Sequence, residues 1–287
     1  MQGEYSRSLI AQLIKNGDIL VSGRVKKPSS KVYSGEVIYG CLPDIKDGES
    51  ADPVAEQNGK LPFDILHEDS HIMVINKYHG IVVHPAAGNL SGTVVNALIS
   101  YYPQIQSVGE DRLRPGIVHR LDRDTSGVMV VAKERDVFSF LKKEFMQRRV
   151  QKSYIALVSG SLKEDSGEIV LPIGRHPVKR KMMSTVAQNG RYAETIWRVL
   201  KRYNSATLVE AELKTGRTHQ VRVHFKAIGH PLVGDSVYGF KKRGGDSMFS
   251  KISRQMLHAW KLSFRHPWSG RRVEFVAPLP EDIGQFC

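Results

Sequence analysis

Two apolar runs enclose the most distinctive polar stretch of the chain. Ile117-Val118 precede it and Val128-Met129-Val130-Val131 follow it. Such runs predict buried strands. Between them, His119-Arg120-Leu121-Asp122-Arg123-Asp124-Thr125-Ser126-Gly127 predicts a turn, because Asp, Thr, Ser and Gly bond back to the backbone or tolerate positive φ. A histidine, an arginine and a carboxylate therefore lie where a stiff sheet meets an irregular loop, a common place for chemistry. Taken alone, these residues leave two readings open: a tight polar turn in which Asp122 or Asp124 caps local N–H groups, or a functional site. A kinase-type loop does not fit, because Leu121 separates Arg120 from Asp122 and no Asp-Phe-Gly follows.

The same patterning divides the rest of the chain. In residues 1–43, Ser6 is the expected cap of a helix whose Leu9, Ile10, Leu13 and Ile14 share a face, with Gly17 as its stop. Short strands are expected at 19–21 and 36–39. Residues 44–60 are polar, acidic and punctuated by Pro and Gly, and predict a linker. A larger domain is expected over 61–287. Its predicted elements are strands at 71–77 and 80–85 and a helix over 93–101. A helix capped by Asp136 follows, with Phe138, Leu141 and Phe145 inward. Strands are expected at 152–158 and 205–213. Val221, Phe225 and Ile228 keep helical spacing, so a helix capped by Thr218 is expected to end near Gly229, and alternating strands at 257–262 and 273–278 complete the sheet. The predicted class is α+β, with a mixed, mainly antiparallel sheet and a small α/β module before it.

Composition narrows the partners. The chain carries a net charge of +13 over 287 residues, which points to a polyanion, and no basic amphipathic helix favours a membrane. No apolar run approaches the roughly 20 residues of a membrane helix, and the start lacks a secretory pattern. Two cysteines, Cys41 and Cys287, make no disulfide framework, so a cytoplasmic protein is expected. No metal-ligand spacing, Walker loop or dinucleotide loop is present, so neither metal nor cofactor is expected. Arg175, His176, Lys179, Arg180, Lys181, Lys241, Lys242 and Arg243 form basic clusters suited to phosphate contacts.

His119-Arg120-Leu121-Asp122, two residues, then Thr125-Ser126-Gly127 resembles the signature of the RluA family of pseudouridine synthases. The run from Arg112 through Pro115-Gly116 to Asp122 is especially similar to its D-type branch, which acts on large-subunit ribosomal RNA. Three further stretches agree. Asn76-Lys77 with Gly80-Ile81-Val82-Val83-His84-Pro85 resembles the first motif, with Tyr78 where the family usually has Pro. Lys152-Ser153-Tyr154 resembles the motif whose Tyr lies against the target base; apart from that likeness, Tyr154 reads equally as a core aromatic. Lys214-Thr215-Gly216-Arg217-Thr218-His219-Gln220, with Gly234-Asp235 after it, resembles the last motif, whose Arg pairs with the catalytic carboxylate. Residues 1–43 resemble an S4-type RNA-binding module, shortened by the lack of the usual earlier helix. Arg7, Lys15, Arg24, Lys26 and Lys27 are its expected RNA contacts.

The resemblance implies that uridine is isomerised to pseudouridine within RNA. Asp122 is the implied catalytic carboxylate, with Arg217 as its partner, Tyr154 against the uracil, and Arg120 entering the space of the extruded base; His119 is expected to contact RNA. A carboxylate kept charged in a water-poor pocket needs a cation beside it, which agrees with such a pairing. The expected partner is large-subunit ribosomal RNA, bound by a monomer. Transfer RNA or another RNA as substrate, or a non-catalytic RNA-binding or ribosome-assembly protein on the same scaffold, are the alternatives.

Overall fold

A computed structural model describes residues 7–40, 61–86, 89–179, 182–240, 249 and 252–287. The chain divides into two compact units, Met1–Ala51 and Asp52–Cys287. Ser6, the predicted linker 44–60, and Arg180, Lys181, Lys241, Lys242 and Arg243 of the predicted phosphate contacts lie outside the described residues.

In the first unit, α1 (Arg7–Asn16) ends at Gly17, whose φ of +86° is the left-handed conformation that a helix stop commonly uses. β1 (Ile19–Val21) pairs antiparallel with β2 (Ile38–Gly40), a strand shorter and later than the pattern predicts. Leu13, Ile19 and Val21 make the buried apolar side. Ser22 and Gly23 both take positive φ, and Val21 and Arg24 exchange backbone bonds across that turn.

The second unit is built on a nine-stranded sheet. In spatial order it runs β3 (Phe63–Glu68), β4 (Ile72–Lys77), β5 (Ser126–Ala132), β12 (Leu257–Arg265), β6 (Gln151–Ser159), β11 (Ala206–Leu213), β10 (Glu194–Arg202) and β7 (Ser166–Val170), with β13 (Arg272–Val276) also on β12. Among the described residues only the β5–β12 pair is parallel, so the sheet is mixed and mainly antiparallel, as the pattern predicts. All six residues of β4 and all seven of β5 are buried, which is why these strands read as continuous apolar runs rather than alternating ones. Small strands β8 (Gly174–Arg175) and β9 (Met183–Ser184) form a separate hairpin.

Three expectations need correction. Residues 80–85 form no strand. The carbonyls of Val82 and Val83 instead accept the N–H groups of Val94 and Val95, the unpaired first turn of α2 (Val94–Tyr101), and Thr93 with Asn96 closes a capping box there. Ile117 contributes one isolated bridge, to Val131, rather than a strand. The helix expected to be capped by Asp136, α3 (Arg135–Met146), starts two residues earlier, after Glu134. It has no side-chain cap, and Asp136 lies in its first turn, where a negative charge suits the helix dipole. Phe138 and Leu141 are buried and Phe145 is half-buried against the same core.

Candidate active site

The polar loop before β5 is fastened from several sides. Thr125 donates its N–H to the Asp122 carbonyl. The ammonium of Lys77, wholly buried at the end of β4, donates to the carbonyls of Tyr78, Ile81 and Arg123, tying the first motif's turn to the Asp122 loop. Burial lowers the Lys77 pKa to about 7, against the nearby charges of Asp124 and Asp122. Arg254 donates to the Asp124 carbonyl and forks onto Asp282. Gly127 follows with φ +121°, and a Cβ there would lie 2.1 Å from the Ala259 carbonyl oxygen, so the close approach of β5 to β12 requires glycine.

Held this way, Asp122 lines a cavity of about 600 Å³ with Tyr154, Arg217, His219, Arg222 and Arg120. Arg222, in the first turn of α4 (Gln220–Ala227), donates from Nη1 to Asp122 Oδ2 at 3.0 Å. Its other edge forks onto Asp235, Nε to Oδ2 at 2.7 Å and Nη2 to Oδ1 at 3.0 Å. Asp235 in turn accepts from the N–H groups of Val237 and Tyr238. The guanidinium also lies over the Tyr238 ring, 4.9 Å from its centre. Burial opposes the charge on Arg222, but the hydrogen bonds and charges of Asp235 and Asp122 outweigh it and hold the pKa above the usual range. One buried cation thus bridges two carboxylates, one fixed by backbone and one open to the cavity.

The expected partner of Asp122, Arg217, is not the one that makes the ion pair. Its Nε donates to the Tyr192 carbonyl, and its side chain lines the cavity. Burial and the neighbouring cations Arg148 and Arg191 lower its pKa. The difference comes from the start of α4. Thr218 does not cap it; His219 precedes the helix in the left-handed conformation, φ +57°. Gln220 then anchors the corner: its Oε1 accepts from Arg217 N and Thr215 Oγ1, and its Nε2 donates to Glu194 O and Thr195 Oγ1. This carries Arg217 away from Asp122 and turns Arg222 toward it. One signal in the sequence was available. Arg222 stands between Val221 and Val223, both buried, and a buried guanidinium requires carboxylates; Asp235 and Asp122 are those it finds.

His119 lines the same cavity and is also held from within the protein. Its ring stacks on Phe145 with centroids 4.6 Å apart, and its Nε2 accepts the Val130 N–H. Burial, with a smaller effect of Lys152, pushes its pKa down to about 3, so the ring is neutral and ties the loop to β5. His219, which the sequence reading did not single out, has Nδ1 against the Tyr238 hydroxyl at 2.7 Å and Nε2 3.6 Å from Asp122 Oδ1. Because that hydroxyl accepts from Met183 N–H, the arrangement in which it donates to Nδ1 leaves Nε2–H facing the carboxylate.

Tyr154 lies on β6, paired with Ala259 of β12 on one side and Ala211 of β11 on the other. Both neighbours are small, which leaves room beside the ring. Burial and the charge of Asp122 push its phenol above the usual range, so it stays protonated. Arg120 is exposed on the cavity wall. Lys15, Arg24 and Lys27 are exposed in the first unit, Lys26 is paired with Glu36, and Arg7 is the first residue of α1.

Residues 71–227 match the family described as RNA pseudouridylate synthase. The chain belongs to the RNA pseudouridine synthase family. A ribosomal large subunit pseudouridine synthase D from Nitrosomonas europaea is 41% identical over 98% of this chain and 79% of its own. An uncharacterised RNA pseudouridine synthase of Bacillus subtilis is 40% identical over 99% and 89%. Among solved structures, human RNA pseudouridylate synthase domain containing 1 superposes with a TM-score of 0.61 at 28% identity, over 78% of this chain and 87% of that one. Within this family membership, the cavity joining Asp122, Arg222 and Tyr154 is the candidate active site.

Proposed function

We propose that this pseudouridine synthase isomerises uridines in large-subunit ribosomal RNA, with Asp122 acting on the sugar. The observation that carries this reading is the Asp122–Arg222 pair opening on a cavity beside the Tyr154 ring. Relatives named as ribosomal large subunit pseudouridine synthase D support the substrate.

The reaction conserves every atom. The glycosidic bond between C1′ and N1 breaks, and its electron pair leaves with the uracil. The base turns, C5 bonds to C1′, the C5 proton leaves and N1 gains one. Breaking the first bond builds positive character at C1′ or needs a nucleophile, and an ionised carboxylate serves either route. Arg222 supplies Asp122 with an opposite charge while Asp235 fixes the guanidinium, so the carboxylate is oriented before substrate arrives. The target base must leave its stack, which costs a few kcal/mol. Stacking on the Tyr154 ring returns about 1–3 kcal/mol, and Arg120 on the wall occupies the vacated space. A protonated Tyr154 phenol does not serve as a ready base for the C5 proton at neutral pH.

In this reading the enzyme acts as a monomer. The first unit, an S4-like module in this reading, adds affinity through its exposed Lys15, Arg24 and Lys27. The test is Asp122→Asn against wild type on ribosomal and transfer RNA, with pseudouridine mapped by mass spectrometry. No product from the variant, with RNA binding retained, is expected. Equal product from both proteins removes Asp122 from the chemistry, and product on transfer RNA alone reassigns the substrate.

A further inference from the structure

A second cavity of about 440 Å³ adjoins the first, and Arg148 and Leu213 line both. Its other walls carry Arg149, Lys214, Arg265 and Arg272. The acids present are already engaged. Glu144 pairs with Arg149 at 3.2 Å and Glu212 pairs with Lys214. Among the described residues, no carboxylate pairs with Arg148, Arg265 or Arg272. Arg148 lies over the Tyr192 ring at 5.6 Å, Arg265 over Phe140 at 5.4 Å, and Arg272 donates to Ser263 Oγ at 3.1 Å. The guanidinium groups are therefore positioned by aromatic rings and a hydroxyl, with their charges uncompensated.

Two further features agree. Arg148 takes φ +58° just past the end of α3, a conformation usually left to Gly or Asn. A long cationic side chain stands at a strained position where the shared wall of the two cavities lies. Strand register also sets the direction. Tyr154 pairs with Ala259, Lys152 with Leu262 and Gln151 with Ser263, while Arg265 faces Arg272 across β12 and β13. Arg265 thus lies about 20 Å along β12 from the partner of Tyr154, at roughly 3.3 Å per residue, with Arg272 beside it on β13.

We infer that this Arg148–Arg265–Arg272 cleft is a binding subsite for the RNA backbone that continues from the extruded uridine. It would take successive phosphates of the flanking strand and read no base, because three guanidinium groups recognise charge and not sequence. This rests on the function proposed above and names where the rest of that substrate lies.

The experiment compares Arg265→Gln/Arg272→Gln with wild type on a large-subunit ribosomal RNA fragment, and on the same fragment with its flanks trimmed. Lys163→Gln/Lys201→Gln, at exposed positions elsewhere, matches the charge loss. The cleft variant should raise KM about tenfold and shallow the slope of log Kd against log salt by about one to two. The gap from wild type should narrow as the flanks are removed. An unchanged KM and salt slope, or a loss no larger than in the charge-matched variant, overturns the inference. Should the double variant fail to fold, Arg148→Gln gives the same comparison. If wild type makes no pseudouridine, the functional reading falls, but Kd and its salt slope need no turnover and still decide the cleft.

Discussion

Replacing Arg222 with lysine separates the two jobs of that side chain. The guanidinium makes three charge-assisted bonds, one to Asp122 at 3.0 Å and two to Asp235 at 2.7 and 3.0 Å. An ammonium keeps the charge but has no planar fork, so it can serve one carboxylate well and not both. Asp235 keeps its backbone donors from Val237 and Tyr238, and the cavity-facing contact to Asp122 is the one expected to go. A hydrogen bond to a charged group contributes about 1.5–3 kcal/mol. At 1.36 kcal/mol per tenfold in rate, its loss lowers turnover roughly 10- to 150-fold. Breaking a buried pair outright costs about 3–5 kcal/mol of stability, an upper bound here because the charge remains. Single-turnover pseudouridine formation, followed by mass spectrometry well below each protein's melting midpoint, isolates the rate from unfolding. Arg217→Lys is the control. If Arg222→Lys turns over within about threefold of wild type while Arg217→Lys falls tenfold or more, the geometry has been misread and Arg217 regains the partner role.

Arg217→Ala should raise KM more than it lowers kcat, because that side chain bonds a carbonyl and faces the cavity without touching Asp122; an equal fall in kcat and kcat/KM is the contrary result. Tyr154→Phe should keep RNA affinity and Tyr154→Leu should lose about 1–3 kcal/mol of it, read by titration with catalytically dead protein; equal affinities would mean the ring meets no base. Gly127→Ala should be recovered only as insoluble or unfolded protein, since its Cβ would meet β12 backbone at 2.1 Å, and a soluble variant with a wild-type melt contradicts this. The pH dependence of stability has a definite sign. Burial pushes His119 from 6.5 down to about 3 and His258 down to about 4. Between pH 6.5 and 4 the unfolded chain therefore binds more protons than the folded one. Stability rises with pH through that window and is lost on acidification, by up to about 1.4 kcal/mol per pH unit for each group. Urea titrations should show a shallower slope for His119→Gln, and parallel slopes would show that His119 is not buried neutral.

Much of this protein was legible in the chain because the signals are local. Continuous apolar runs marked β4 and β5, helical spacing marked α2 and α3, and the polar loop between Ile117 and Val128 carried Asp122 to the end of a buried strand. Tyr154 fell on the strand expected for it. Which arginine meets Asp122 could not be settled locally. That depends on the left-handed turn at His219, on Gln220 bonding four groups from two segments, and on Asp235 arriving thirteen positions beyond Arg222. His119 likewise reads as a polar loop residue until Phe145 and the Val130 N–H are seen to occupy it. A carboxylate's place in a motif can be read from spacing, but the charge that faces it is chosen by packing, because a guanidinium at the end of a long side chain goes where burial leaves it a partner.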